Sequence, residues 1–239
     1  MNIVLVGYGR MGHEIEEAAK KRGHTISLVV DVDNKADLNS DKMKKADVVI
    51  EFTLPGAAFK NISACLKMKI PVVSGTTGWL KDYDRARELC LENGTSFLHS
   101  SNFSIAVNLL YRLSSELAGY MKNYNEYTVS IEEIHHVKKL DAPSGTAIAL
   151  AEGIAERHPG YAAGWCPDQQ RKDGMIPVKS VREGLVPGIH IVEWDSDIDT
   201  ISLRHEARNR KGLALGAVVA AEFISNRKGV FTMSDVLGF

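Results

Sequence analysis

Gly7-Tyr8-Gly9-Arg10-Met11-Gly12 stands between a short apolar run, residues 3–6, and a stretch of helical periodicity, residues 10–22. A GxGxxG in that setting is a strand-to-helix turn of a βαβ unit. Gly7 can supply a tight turn with unusual dihedrals, and Gly9 lets backbone approach a pyrophosphate. Gly12 permits close helix–strand packing. The start of the helix offers unpaired N–H groups and the positive end of its dipole to phosphate. Asp31 ends the next apolar run, about twenty residues on, where a carboxylate can bond the ribose hydroxyls of a dinucleotide. The glycines alone are weak evidence. Strand, helix and distal carboxylate together make residues 7–12 and Asp31 a candidate nicotinamide-dinucleotide site. Val32 follows Asp31, so no arginine stands where a 2′-phosphate needs one. The expected preference is NADH, with NADPH second and Lys35 as the residue that would offset the bias.

The first hundred residues continue the alternation. Apolar runs at 25–31, 47–52, 71–74 and 95–99 are separated by helical stretches at 55–68 and 81–93. Strands this uniformly apolar are buried on both faces, which predicts a doubly wound parallel sheet of the Rossmann type. Two loops follow strands of that sheet: Gly75-Thr76-Thr77 and Ser100-Ser101-Asn102-Phe103. Ligands bind beyond the carboxyl ends of such strands, so both loops are candidate cofactor contacts, with ordinary turn chemistry as the alternative.

The pattern then changes. Residues 104–121 read as a long helix with Ala106, Leu109, Leu110, Leu113 and Leu117 on one face. A strand at 127–134 and a helix at 146–157 follow, then a loop over 158–174. Three strands come without helices between them, at 177–182, 189–194 and 200–205, predicting a smaller α+β domain with a mainly antiparallel sheet. Residues 213–224 are an almost wholly apolar helix, expected to return to the first domain. The boundaries expected are therefore 1–103 with 208–239 for the dinucleotide domain, and 104–207 for a substrate-binding and oligomerisation domain.

Composition excludes other classes. Lys and Arg total 29 against 30 Asp and Glu, interspersed, which argues against a general nucleic-acid binder. The three cysteines form neither a CxxC pair nor a disulfide framework, which suits a reducing compartment and small buried roles. The first apolar run is too short for a signal peptide or a span, and no later run crosses a bilayer, so a cytoplasmic protein is expected.

The densest chemistry is Glu132-Glu133-Ile134-His135-His136-Val137-Lys138-Lys139-Leu140-Asp141-Ala142-Pro143-Ser144-Gly145-Thr146. Asp141 or Ser144 can cap the helix that follows, with the amides of Gly145 and Thr146 at its anion-attracting end. His135, His136 and Lys139 just upstream would complete a pocket for a dianion, and a histidine or lysine there can deliver a proton. Spacing alone equally allows a solvated basic loop before an ordinary capped helix. No metal is expected, since adjacent histidines lack ligand spacing and the cysteines lie far away. If the preceding strand continued regularly, His135 and His136 would face opposite ways. Irregular backbone is therefore expected over 135–141.

This stretch resembles the signature of the dihydrodipicolinate reductase family, in Glu133, His135, Lys139, Asp141 and Pro143-Ser144-Gly145-Thr146-Ala147. The similarity runs over essentially the whole chain, through Phe52-Thr53, Gly75-Thr76-Thr77-Gly78, Ser101-Asn102-Phe103-Ser104, Arg182, Gly188, His190 and His205. The resemblance implies reduction of a cyclic imine dicarboxylate on the diaminopimelate route to lysine. It implies His135 as proton donor or acceptor and Lys139 as proton donor. His136, Gly145 and Thr146 would hold the carboxylates. Residues 7–12, Asp31, Gly75–Thr77 and Ser100–Phe103 would contact the cofactor. A homotetramer assembled through the second sheet is also implied. Ser130, where the family often has glutamate, a first turn one residue shorter than usual and a short 31–47 segment depart from the pattern. Two rivals differ by observable features. Another two-domain amino-acid or sugar dehydrogenase would need a different catalytic stretch. A non-catalytic NADH sensor would need a DNA-reading module, and none is evident.

Overall fold

The computed structural model describes residues 1–239. In chain order the first elements are β1 (Asn2–Val6), α1 (Arg10–Lys21), β2 (Thr25–Val30), β3 (Val48–Glu51), α2 (Pro55–Lys67), β4 (Val72–Ser74), α3 (Tyr83–Asn93) and β5 (Ser96–His99). Then come α4 (Ile105–Met121), β6 (Thr128–His135), α5 (Gly145–Ala155), β7 (Trp165–Pro167), β8 (Ile176–Arg182), β9 (Ile189–Asp195) and β10 (Thr200–Glu206). The chain closes with α6 (Lys211–Ile224), β11 (Gly229–Phe231) and α7 (Met233–Leu237). It divides into two compact units, Met1–Ile105 with Arg210–Phe239, and Ala106–Asn209.

The first unit is built on a six-stranded sheet in the order β11-β5-β4-β3-β1-β2, parallel throughout. Strand β1 shows why both faces are covered. Ile3 and Leu5 join one core with Ile15 and Ala19 of α1 and Ala214, Ala217 and Val218 of α6. Val4 and Val6 join the other, with Ile62 and Leu66 of α2 and Ala86 and Cys90 of α3. All four β1 side chains are essentially fully buried, each contributing about 1.5–3 kcal/mol on transfer from water. Strand β1 lies between β2 and β3, so the order reverses there and opens a crevice at the carboxyl ends.

The second unit carries a five-stranded sheet in the order β10-β9-β6-β8-β7. It is mixed rather than mainly antiparallel: β10/β9 and β9/β6 are antiparallel, β6/β8 and β8/β7 parallel. The crossover through α5 returns the chain in the direction of β6, and β7, hidden in the expected 158–174 loop, is too short to announce itself. Val129, Ile131, Val178, Val192 and Trp194 face α4 and α5 in a third core. The buried face of α4 is Val107, Leu110, Ser114, Ala118 and Met121, whereas Leu109 and Leu113 are exposed. The expected leucine-rich face was thus rotated. Leucines lie on both sides of α4, and the small residues Ser114 and Ala118 are among those it buries.

Candidate active site

In the first unit, the three glycines of the opening turn do different work. Gly7 has φ +93°, and a Cβ there would lie 2.0 Å from the Phe52 carbonyl oxygen. A Cβ on Gly12 would lie 2.6 Å from the Gly7 carbonyl. These two are fixed by the protein's own packing. Gly9 differs, because a Cβ there would meet nothing within 4 Å. It is the N-cap of α1, no side chain caps that helix, and its first turn holds no acidic residue. Open space at an uncapped helix start, beside the sheet's switch point, fits a pyrophosphate. Arg10 is exposed, Met11 packs against the core, and Tyr8 donates its hydroxyl to Glu16. Asp31 is the N-cap of the short turn that follows β2, accepting from the Val32 amide at 2.9 Å. The side chain of Asn34 is consumed by the Asp31 amide, the Val29 carbonyl and Asp37.

The Gly75–Thr77 loop is held by a residue that the sequence did not single out. Glu51, wholly buried at the end of β3, accepts hydroxyl hydrogen bonds from Ser74 at 2.6 Å, Thr76 at 2.9 Å and Thr53. Burial pushes its carboxyl above the usual carboxylate range despite those donors. The Thr76 hydroxyl also accepts from the Thr53 amide at 2.7 Å. The Thr76 carbonyl accepts from Trp79 Nε1 at 2.8 Å and lies 3.0 Å from His99 Nε2. The Thr76 hydroxyl therefore points inward, and this loop offers backbone and the exposed Thr77 rather than two hydroxyl donors. The second loop is similarly self-satisfied. Ser100 Oγ donates to the Asn102 carbonyl and Asn102 Oδ1 accepts from the Ser104 amide, while the Phe103 side chain is buried in the core. Ser101 is exposed.

In the second unit, β6 stops at His135, and a turn closed by the Lys139 amide on the His136 carbonyl follows at 3.0 Å. The irregular backbone anticipated there is present. His135 is on the inward face with Glu133, its Nδ1 2.6 Å from the Glu133 carboxylate. His136, beyond the strand end, is half-buried with an unpartnered Nδ1. Lys139 pairs with Asp141 at 2.8 Å, and that ammonium holds the Asp141 carboxyl below its usual range. Of the two candidate caps, Ser144 is the one used: its Oγ accepts from the Ala147 amide at 3.2 Å. The first turn of α5 contains no acidic residue, and a Cβ on Gly145 would meet nothing within 4 Å. This helix start, with its space and uncompensated dipole, suits a carboxylate.

Arg182 of β8 bonds Glu133 at 2.8 Å and the carbonyls of Lys139 and Asp141 at 3.3 Å and 2.5 Å, fixing the turn that bears Lys139. His190 stands opposite Glu133 in the β6/β9 register, its Nε2 3.2 Å from Ser144 Oγ. Burial, then the neighbouring His135, pushes the His190 imidazole down to about 4. Glu133, His135 and His190 bring one ligand atom each within 4.8 Å of one another. Arg182 on the carboxylate opposes a cation there.

Comparison with known proteins covers the whole molecule. The model of the dihydrodipicolinate reductase N-terminus matches residues 1–103, and that of the C-terminus matches residues 106–237. A 4-hydroxy-tetrahydrodipicolinate reductase of Christiangramia forsetii is 51% identical over 99% of this chain and 98% of its own length. One from Alkaliphilus metalliredigens is 33% identical over 100% and 99%. Among solved structures, the dipicolinate-bound dihydrodipicolinate reductase of Paenisporosarcina sp. TG-14 superposes with a TM-score of 0.80 at 22% identity, covering 97% of each chain. GenD2 from gentamicin A biosynthesis reaches 0.60 at 12% identity, over 99% of this chain and 90% of its own, a likeness of fold alone.

Proposed function

The chain belongs to the dihydrodipicolinate reductase family, and from that premise we propose how its own residues divide the work. It is an NAD(P)H-dependent oxidoreductase that reduces 4-hydroxy-tetrahydrodipicolinate to tetrahydrodipicolinate in the diaminopimelate pathway of lysine biosynthesis. The observation that carries the assignment of roles is the second unit's juxtaposition of His135, the Lys139 turn and the Ser144-capped start of α5.

Residues 104–207 form the substrate domain in this reading. Gly145 and Thr146 at the start of α5, with His136, hold the two carboxylates of the substrate ring. Lys139 and His135 stabilise developing charge and supply the proton to the ring. A dicarboxylate ligand is in keeping with the solved dihydrodipicolinate reductase of the same fold, which is dipicolinate-bound. Residues 1–103 and 208–239 form the cofactor domain. The turn of Gly7, Tyr8, Gly9, Arg10, Met11 and Gly12 seats the pyrophosphate. Asp31 meets the ribose, and Gly75, Thr76, Thr77 and Ser100 to Phe103 border the remainder through backbone. When bound, the nicotinamide supplies the hydride; the protein contributes position and charge.

NADH is the preferred cofactor, because a carboxylate at Asp31 repels a 2′-phosphate. The protein is a homotetramer joined through the second sheet, a reading supported by the half-exposed Ile134, Val181, Ile189 and Ile191 on its outward face. It works in the cytoplasm, as its three unpaired cysteines suit, and no helix is long and apolar enough to cross a membrane. The test is to couple the purified protein to a synthase that makes the cyclic imine and follow NADH loss. Substrate-dependent oxidation is expected, with kcat cut about a hundredfold or more in His135→Ala and Lys139→Ala. Native turnover in either variant would contradict its role.

A further inference from the structure

Glu133 occupies the inward face of β6 two residues before His135, and none of it reaches solvent. Ser180 of β8 and His190 of β9 stand opposite it on either side. One carboxylate oxygen lies 2.6 Å from His135 Nδ1, and the other accepts from Arg182 at 2.8 Å. Ser144 and Ser180 lie beside it, and their hydroxyls favour its ionised form.

Each of these partners governs a different part of the site. His135 is the candidate proton-transfer group. Arg182 continues to the carbonyls of Lys139 and Asp141, so the turn that presents Lys139 hangs from the same guanidinium. Ser144 caps α5, and so sets where the Gly145 and Thr146 amides begin. One carboxylate connects all three.

Burial by itself would raise the Glu133 carboxyl, yet the donors from His135, Arg182, Ser144 and Ser180 outweigh it and hold the group well below the usual carboxylate range. A buried ion pair of this kind is weak evidence for added stability, since well-packed apolar replacements are often as stable. Its partners sit on separate elements, His135 on β6 and Arg182 on β8, so the carboxylate ties their geometry together. An ionised carboxylate accepts only, so the Nδ1 lying 2.6 Å from it is the ring nitrogen expected to carry the proton. That choice leaves Nε2 as the working nitrogen. Gly188 lies at that edge of the ring, where a Cβ would be 3.0 Å from Nε2, so glycine there keeps the edge uncrowded.

We propose that Glu133 is the positioning residue of this active site, fixing the tautomer and orientation of His135 and tying the Lys139 turn and the start of α5 to the same carboxylate. This rests on the reading of His135 as a proton-transfer residue.

The experiment is 15N spectroscopy of histidine-labelled full-length protein at alkaline pH, with His135 assigned by its absence in His135→Ala. The native protein should carry the His135 proton on Nδ1. In Glu133→Gln, Arg182 can only donate, so it retains the amide oxygen, and the amide nitrogen turns to His135. The proton should then move to Nε2, with kcat reduced about a hundredfold or more and KM for NADH unchanged. A native His135 protonated on Nε2 alone would overturn the proposal without any variant having to fold. Loss of turnover in His135→Ala with native kcat in Glu133→Gln would overturn the role of Glu133 alone. Native turnover in His135→Ala would instead overturn the proton-transfer reading, and with it the catalytic part of this one.

Discussion

Gly216, in the middle of α6, is pressed against the backbone of Phe103: a Cβ at 216 would lie 1.7 Å from the Phe103 carbonyl oxygen. The last long helix of the chain thereby braces the loop that follows β5. Alanine normally stabilises a helix by about 1 kcal/mol over glycine. Here the collision should win. Gly216→Ala is expected to lose about 1–3 kcal/mol through overpacking and to weaken NADH binding by displacing Ser100–Phe103. Gly119 of α4 has nothing within 4 Å of its Cβ position, so Gly119→Ala is the control and should stabilise. Thermal unfolding and NADH titration read both effects. A stabilised Gly216→Ala with native affinity would contradict the bracing.

That contact marks where sequence reading stops. Strands β1 to β4 are legible as short, largely apolar runs and β5 from its place in the alternation, and the burial of α6 follows from its apolar circumference. Strand β11 and helix α7 were not seen, although Thr232 and Asp235 form a capping box that announces α7. Strand β7 has three residues ending in proline, with loop-like composition on both sides. At the site, the order of residues 135–146 and its break from strand to turn could be read from the sequence. Glu51 could not, since its role arises from register with Ser74, which adjoins it only in the folded sheet. His190 faces Glu133 for the same reason.

The second unit should lose stability in mildly acid solution. Burial and the neighbouring His135 hold the folded His190 near about 4, below its ordinary 6.5, so the folded state disfavours its cation. Its contribution is complete above 6.5 and is lost as pH falls through about 4, amounting to about 3 kcal/mol. Glu133 adds to the loss from the ordinary carboxylate range downward, because its own carboxyl is depressed in the folded state. Hydrogen exchange of β6 and β9 amides, corrected for intrinsic rate, should show weaker protection at the acid end of that window. His190→Gln should flatten the dependence. An unchanged slope would place the titration elsewhere.

Cofactor choice should follow the end of β2. The Asp31 carboxylate and exposed Val32 offer no cation to a 2′-phosphate, and Asn34 is fully engaged, leaving exposed Lys35 as the nearest basic residue in sequence. The ratio of kcat/KM values is expected to favour NADH, and Lys35→Ala should widen that margin. A tenfold or greater preference for NADPH would refute the assignment of Asp31.

The most direct measurement is a crystal structure of the protein with NADH and dipicolinate together. The carboxylates of dipicolinate should lie on the Gly145 and Thr146 amides and His136, beside Lys139, with the pyrophosphate against Gly9. A dipicolinate bound elsewhere, with the Lys139 turn facing solvent, would contradict the account.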